Sequence, residues 1–83
     1  MERKYFSAMK EKILNLLEDA LPTVDWSSDF LFSEMDSLAV TTVLTVLSDE
    51  FKIRLDSEDA TPKNFMTIDS IVNLVETKLK EQA

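Results

Sequence analysis

An 83-residue chain with no histidine, no cysteine, no glycine and a formal net charge of −7 can build one small core and little more. Without cysteine there is no disulfide, thiolate metal site or cysteine nucleophile. Without histidine the commonest general base near neutral pH is missing, so a Ser-His-Asp machine cannot be assembled and no catalytic or metal site is expected.

The first helix is expected over about Arg3 to Ala20. Met9, Ile13, Leu16, Leu17 and Ala20 repeat with a 3.6-residue period, while Lys10, Glu11, Asn15 and Glu18 take other faces. Leu21-Pro22 ends it, because the residue before a proline is pushed out of the helical region. Thr23 to Met35 shows no period and is rich in turn formers: Asp25, Ser27, Ser28, Asp29 and Ser33. It also holds Trp26, Phe30, Leu31 and Phe32; some of these rings are expected to pin the loop to the core, with Phe30 or Phe32 a core anchor rather than a ligand contact.

Asp36 is a good N-cap for a second long helix, Ser37 to Phe51. The run Val40, Thr41, Thr42, Val43, Thr45, Val46 is β-branched and alone would read as a strand. A length of about 15 residues, the cap, and a broad apolar face from Leu38 through Thr42 or Val43 and Leu47 to Phe51 favour a helix. Lys52 to Ala60 is a connector. Thr61-Pro62-Lys63-Asn64 suits one short helical turn capped by Thr61, with Phe65 as its core anchor. Thr67 caps the last helix, where Ile68, Ile71, Val72, Val75 and Leu79 form the apolar stripe.

Charge is uneven along this order. From Glu18 to Asp59 eleven acids face only Lys52 and Arg54, a net of −9, while the two ends together carry +2. Such a field speeds encounter with basic partners. It argues against nucleic acid, whose phosphates need clustered Lys and Arg. No apolar run approaches the roughly 20 residues of a membrane span, and a cytoplasmic location is expected.

Three Asp-Ser pairs occur, Asp36-Ser37, Asp56-Ser57 and Asp69-Ser70. Ser57 precedes no apolar helix. Ser70 falls in the first turn of the last helix, where supporting the Thr67 cap is its expected role. Ser37 alone stands where a long loop meets a central helix. A helix start presents unpaired N–H groups and a partial positive charge, which suits a phosphate ester. Asp36 beside it would repel one unless it is capping or holding a metal ion.

The stretch from Phe30 to Leu79 resembles the acyl carrier protein family, peptidyl carrier domains included. The resemblance rests on Asp36-Ser37-Leu38 at the helix start, Asp49-Glu50-Phe51 at its end, Ile53 and Leu55, Glu58-Asp59-Ala60, and Asn64 to Ile71 leading into the last helix. It implies an all-α, acyl-carrier-like four-helix bundle of three longer helices and one short one, a single carrier domain over 1–83. It implies that Ser37 carries 4′-phosphopantetheine, transferred from coenzyme A by a separate magnesium-dependent phosphopantetheinyl transferase, with Asp36 helping to position magnesium and coenzyme A there. The thiol of that arm would hold acyl groups as thioesters for fatty-acid, polyketide or related biosynthesis, and the chain itself would be no enzyme. Leu38, Thr41, Thr45, Asp49 and Glu50 would meet partner enzymes bearing basic patches, with the carrier a monomer.

Two departures from the family pattern stand out. A glycine usually lies one or two residues before Asp-Ser-Leu; here Glu34-Met35 occupy that place, so the turn must take another shape. The second-helix positions that are acidic in fatty-acid carriers read here as Ala39, Thr42 and Ser48, exposed and uncharged, and Thr41 and Thr45 replace apolar partner contacts. A specialised carrier with dedicated partners is therefore expected. An acyl pocket, if formed, would lie near Leu47, Leu55, Ala60, Phe65 and Ile71. The competing class is an unmodified acidic helical module that binds a basic protein. A serine hydrolase is disfavoured, since no base is at hand.

Overall fold

The computed structural model describes the backbone of residues 2–82 and the side chains of residues 6–82. Four α-helices are present, α1 (Glu2–Ala20), α2 (Leu31–Glu34), α3 (Ser37–Phe51) and α4 (Ile68–Gln82), with a 3₁₀ turn at Ser57–Asp59 and no strand among the described residues. The three long helices pack on one another in every pairing. This is the all-α, acyl-carrier-like bundle that the sequence implies.

The core is built from the periodic positions. Met9, Ile13 and Leu17 enter from α1, Ala39, Val43, Leu44 and Leu47 from α3, and Ile68, Ile71, Val72, Leu74 and Val75 from α4. Leu16 is half-buried and Ala20 exposed, so the α1 stripe is narrower and shorter than expected. Packing overrides the strand preference of α3, because Val43 and Leu47 are wholly buried on its inner face. Val43, Leu47 and Phe51 lie on the expected face, but its start differs. Leu38 is exposed and its neighbour Ala39 is buried, the roughly 100° turn that one helical residue makes.

Between α1 and α3 the loop is fastened by side chains, among them two of the expected aromatics, Trp26 and Phe32, the latter packed against the core. Trp26 and Leu31 are buried, Phe32 is half-buried and Phe30 is exposed. The Trp26 indole donates to the Leu21 carbonyl at 3.2 Å, which places its polar edge on a free end of α1 and its rings in the core. The single helical turn expected at 61–64 is present as one isolated turn that does not extend into a helix. Asn64 N–H donates to Thr61 Oγ1 at 3.1 Å and Phe65 N–H to the Thr61 carbonyl at 3.0 Å, the Thr61 cap as anticipated. Phe65 is wholly buried. A further single helical turn, α2, lies inside the stretch expected to be irregular.

Surface ion pairs stitch the elements. Lys10 bonds Asp69 at 2.8 Å between α1 and α4, and Lys12 bonds Glu50 at 3.2 Å between α1 and α3. Lys78 on α4 meets Asp59 at 3.1 Å, and the hydrogen bond to Asp59 holds its ammonium above the usual lysine range.

In a chain without glycine, Lys52 at the C-cap of α3 takes the left-handed conformation, φ 54° and ψ 44°, the one non-glycine positive φ among the described residues. That geometry disfavours a side chain with a Cβ by about 1–2 kcal/mol, and glycine is the usual occupant. Lys52→Gly should raise stability by about 1 kcal/mol, or roughly 4–8 °C in thermal midpoint for a domain of this size. The Lys52 carbonyl would keep its bond from Gln82 Nε2. A midpoint that stays put or falls in a thermal melt would contradict this.

Candidate functional site: the start of the second long helix

Asp36 and Ser37 meet where extended backbone becomes helix. Met35 (φ −111°, ψ 136°) and Asp36 (φ −86°, ψ 179°) are both extended, so the approach to Ser37 uses no positive φ and no glycine is required there. Met35 is buried and anchors the approach from below. This is the other shape that the missing glycine called for: a one-turn helix, then two extended residues.

The Asp36 carboxylate accepts from the Ala39 N–H at 2.8 Å, and the Asp36 carbonyl accepts from the Val40 N–H at 3.0 Å. Asp36 is thus the N-cap that its position suggested, and its charge is partly spent on the helix. The N–H groups of Ser37 and Leu38 have no partner among the described residues. Ser37 is the first residue of a 15-residue helix and lies exposed. A phosphate ester on its hydroxyl fits such a position, since two free donors and the positive end of the helix dipole adjoin it.

The other singled-out residues fall on the outer side of α3. Leu38 is 75% exposed, and Thr41, Thr45, Asp49 and Glu50 are exposed along the same helix. Leu38, Thr41, Thr45 and Asp49 are spaced by three, four and four residues, one stripe of an α-helix. Asp49 lies about 18 Å along the axis from Ser37. Thr41 Oγ1 donates to the Ser37 carbonyl at 2.9 Å, so the hydroxyl beside the serine is already engaged. Glu50 is tied to Lys12, which also sits 5.3 Å from the centre of the Phe51 ring.

Three positions expected to be open on this helix are not. Ala39 is buried, and Thr42 and Ser48 are half-buried. Thr42 Oγ1 donates to the Leu38 carbonyl at 2.9 Å, and Ser48 Oγ accepts from the Leu55 N–H at 3.3 Å. These residues are structural, and the outward stripe is the Leu38-Thr41-Thr45 line.

The other two Asp-Ser pairs are occupied differently. Ser70 is half-buried, its N–H donates to Thr67 Oγ1 at 3.1 Å, and the two hydroxyls lie 3.1 Å apart. Asp56 caps the 3₁₀ turn, accepting from the Glu58 N–H at 3.2 Å while Asp59 accepts from the Asp56 N–H at 3.1 Å. Of the residues proposed to line an acyl pocket, Leu47, Phe65 and Ile71 are wholly buried, whereas Leu55 and Ala60 are half-buried. All five belong to the core or pack against it. In the loop, Asp25 accepts from both the Ser27 hydroxyl (2.6 Å) and the Ser27 N–H (3.1 Å), which holds its carboxyl below the usual range.

The arrangement is a small helical bundle that offers one serine, uncovered, at the capped start of a central helix. The chain belongs to the phosphopantetheine attachment site (PP-binding) family, whose pattern it matches over residues 8–77. That match begins within α1, takes in the whole of α3 and ends within α4. It makes the chain a relative of acyl carrier proteins, with 4′-phosphopantetheine as the covalent group such a domain receives. No curated protein and no solved structure matches the chain. Among the described residues, no helix is long and apolar enough to cross a membrane.

Proposed function

We propose that the chain is a carrier protein whose Ser37 holds the 4′-phosphopantetheine arm, and that the thiol of that arm presents acyl groups as thioesters to separate enzymes. The observation that carries this is an exposed Ser37 on the first turn of α3, in a chain of the phosphopantetheine attachment family, with two free N–H groups beside it. In loading, the Ser37 oxygen bonds to the phosphorus of the pantetheine half of coenzyme A. The pyrophosphate P–O bond breaks, the adenosine bisphosphate half leaves, and the serine proton passes to a base of the transferase. Asp36 caps α3 and keeps Ser37 in place for that exchange. The chain acts as a carrier and not as a catalyst, within fatty-acid, polyketide or a related acyl biosynthesis in the cytoplasm.

Leu38, Thr41, Thr45 and Asp49 form the line along which acyl-processing enzymes read the carrier, with Glu50 at its far edge. Three of those five carry no charge, which supports dedicated partners over the strongly basic enzymes of housekeeping fatty-acid synthesis. Thr41→Glu with Thr45→Glu should therefore lower KM with a fatty-acid-type enzyme by up to about tenfold at low salt, and the gain should fade as salt rises. Unchanged steady-state kinetics would remove acid depletion as the basis of partner choice.

Intact-mass measurement tests the reading itself. After incubation with coenzyme A, magnesium and a broad-specificity transferase, the chain should gain the mass of one phosphopantetheine group. No gain with several transferases would overturn it.

A further inference from the structure

Phe30 breaks two local rules. It stands at the N-cap of α2, where Ser, Thr, Asp or Asn would satisfy a free N–H, and it forms no side-chain cap. Phe30 is 69% exposed. Met66, 45% exposed, is its neighbour across the fold, because the Leu31 N–H donates to the Met66 carbonyl at 2.9 Å. With Leu38 these are the large apolar side chains that the described residues leave exposed. Departures from local preference are expected at functional sites, and exposed apolar side chains that adjoin one another are the surface a partner covers.

The patch lies within reach of Ser37. The chain from Phe30 to Ser37 contains the four residues of α2, so the two Cα atoms are at most about 20 Å apart. A partner that covers Ser37 with an ordinary footprint of about 800 Å² is roughly 30 Å across and can extend over both.

Charge selects the occupant. Between Lys12 and Lys52 the chain has eight acids and neither Lys nor Arg. Asp29, Glu34 and Asp36, all exposed, flank Phe30 and Ser37 in that span. Lys63, three residues before Met66, is the cation of the facing turn. A second copy of the chain would set acid against acid. An enzyme that holds coenzyme A must instead be cationic beside its bound phosphates. We infer that Phe30 and Met66 form an apolar docking patch for the enzyme that loads Ser37, a protein with an apolar socket next to a cationic coenzyme A site. The inference rests on the carrier reading of Ser37.

Loading kinetics by intact mass, with a broad-specificity phosphopantetheinyl transferase, coenzyme A and magnesium, test it on Phe30→Ser, Met66→Gln and the double variant. KM for the carrier should rise at least about tenfold in the double variant with kcat within about twofold. The thermal midpoint of Phe30→Ser should hold or rise, because serine supplies the missing cap. Lys80→Ser, on the exposed side of α4, should leave KM unchanged. A double variant loaded with wild-type KM overturns the inference alone. So does a kcat that falls together with the thermal midpoint, which would make Phe30 a structural residue. Self-association of the wild type that Phe30→Ser abolishes, with KM unchanged, would assign the patch to a second copy and overturn it too. A wild-type chain that gains no mass overturns the carrier reading and this inference together.

Discussion

Ser37→Ala should abolish the phosphopantetheine mass gain completely, while Ser70→Ala is loaded like the wild type. Both serines follow an aspartate, precede an aliphatic residue and lie in the first turn of a helix, so the tripeptide cannot tell them apart. Their surroundings do. Ser37 is exposed with free N–H groups beside it. Ser70 is half-buried, and its N–H and hydroxyl both address Thr67. Alanine at 70 leaves the Thr67 cap one acceptor or donor poorer but keeps its N–H bond, so the fold should survive. Alanine at 37 removes an exposed hydroxyl from a helix start, where substitutions shift stability within about 0.5 kcal/mol. Loss of loading with unchanged helical signal by circular dichroism is therefore a loss of the attachment oxygen. A residual mass gain in Ser37→Ala would move the attachment elsewhere, and peptide mapping would then have to find it at Ser70 or Ser57.

The second large effect is on stability. Phe65→Ala should cost about 3–5 kcal/mol, because Phe65 is the largest of the wholly buried side chains and its backbone is held by the Thr61 turn, which limits collapse into the space. Small domains hold roughly 0.05–0.15 kcal/mol per residue, so this one substitution takes a large share of the total. The thermal midpoint should drop by roughly 15 °C or more, with part of the population unfolded near 37 °C. Phe65→Leu keeps more of the volume and should sit between the two. A midpoint within a few degrees of the wild type would show that the interior around Leu47 and Ile71 can close over the gap, or already has room to spare. The second outcome would favour an acyl pocket there.

Much of this architecture is legible in the residues. The α1 and α4 stripes, the Asp36, Thr61 and Thr67 caps and the sheltered role of Ser70 all follow from spacing and hydrogen-bonding chemistry. What was not legible has physical reasons. Leu38 is more apolar than Ala39, so a hydrophobicity count starts the inner face of α3 at Leu38, although the fold buries the small side chain and exposes the large one. Of the loop aromatics read as anchors, Trp26 and Phe32 pack on the core, while Phe30 stays outside, since apolar residues contribute much of any folded surface. Helix α2 escaped because nothing caps it; Phe30 is the last residue that an N-cap rule would choose. The 3₁₀ turn did leave a trace, since Asp56 and Asp59 bond reciprocally across three residues, a spacing that could have been noticed.

One buried side chain has a practical consequence. Trp26 is the sole tryptophan of the chain, and it sits in the loop that delivers the backbone to α2 and α3, its indole hydrogen-bonded to the end of α1. The emission of this protein therefore reports on a single place. Any event that lifts the loop from the core, whether an enzyme settling over Ser37 or a substitution that loosens the approach, would wet that indole and shift its fluorescence to the red. The molecule contains its own optical gauge of the segment leading to the serine, with no label attached.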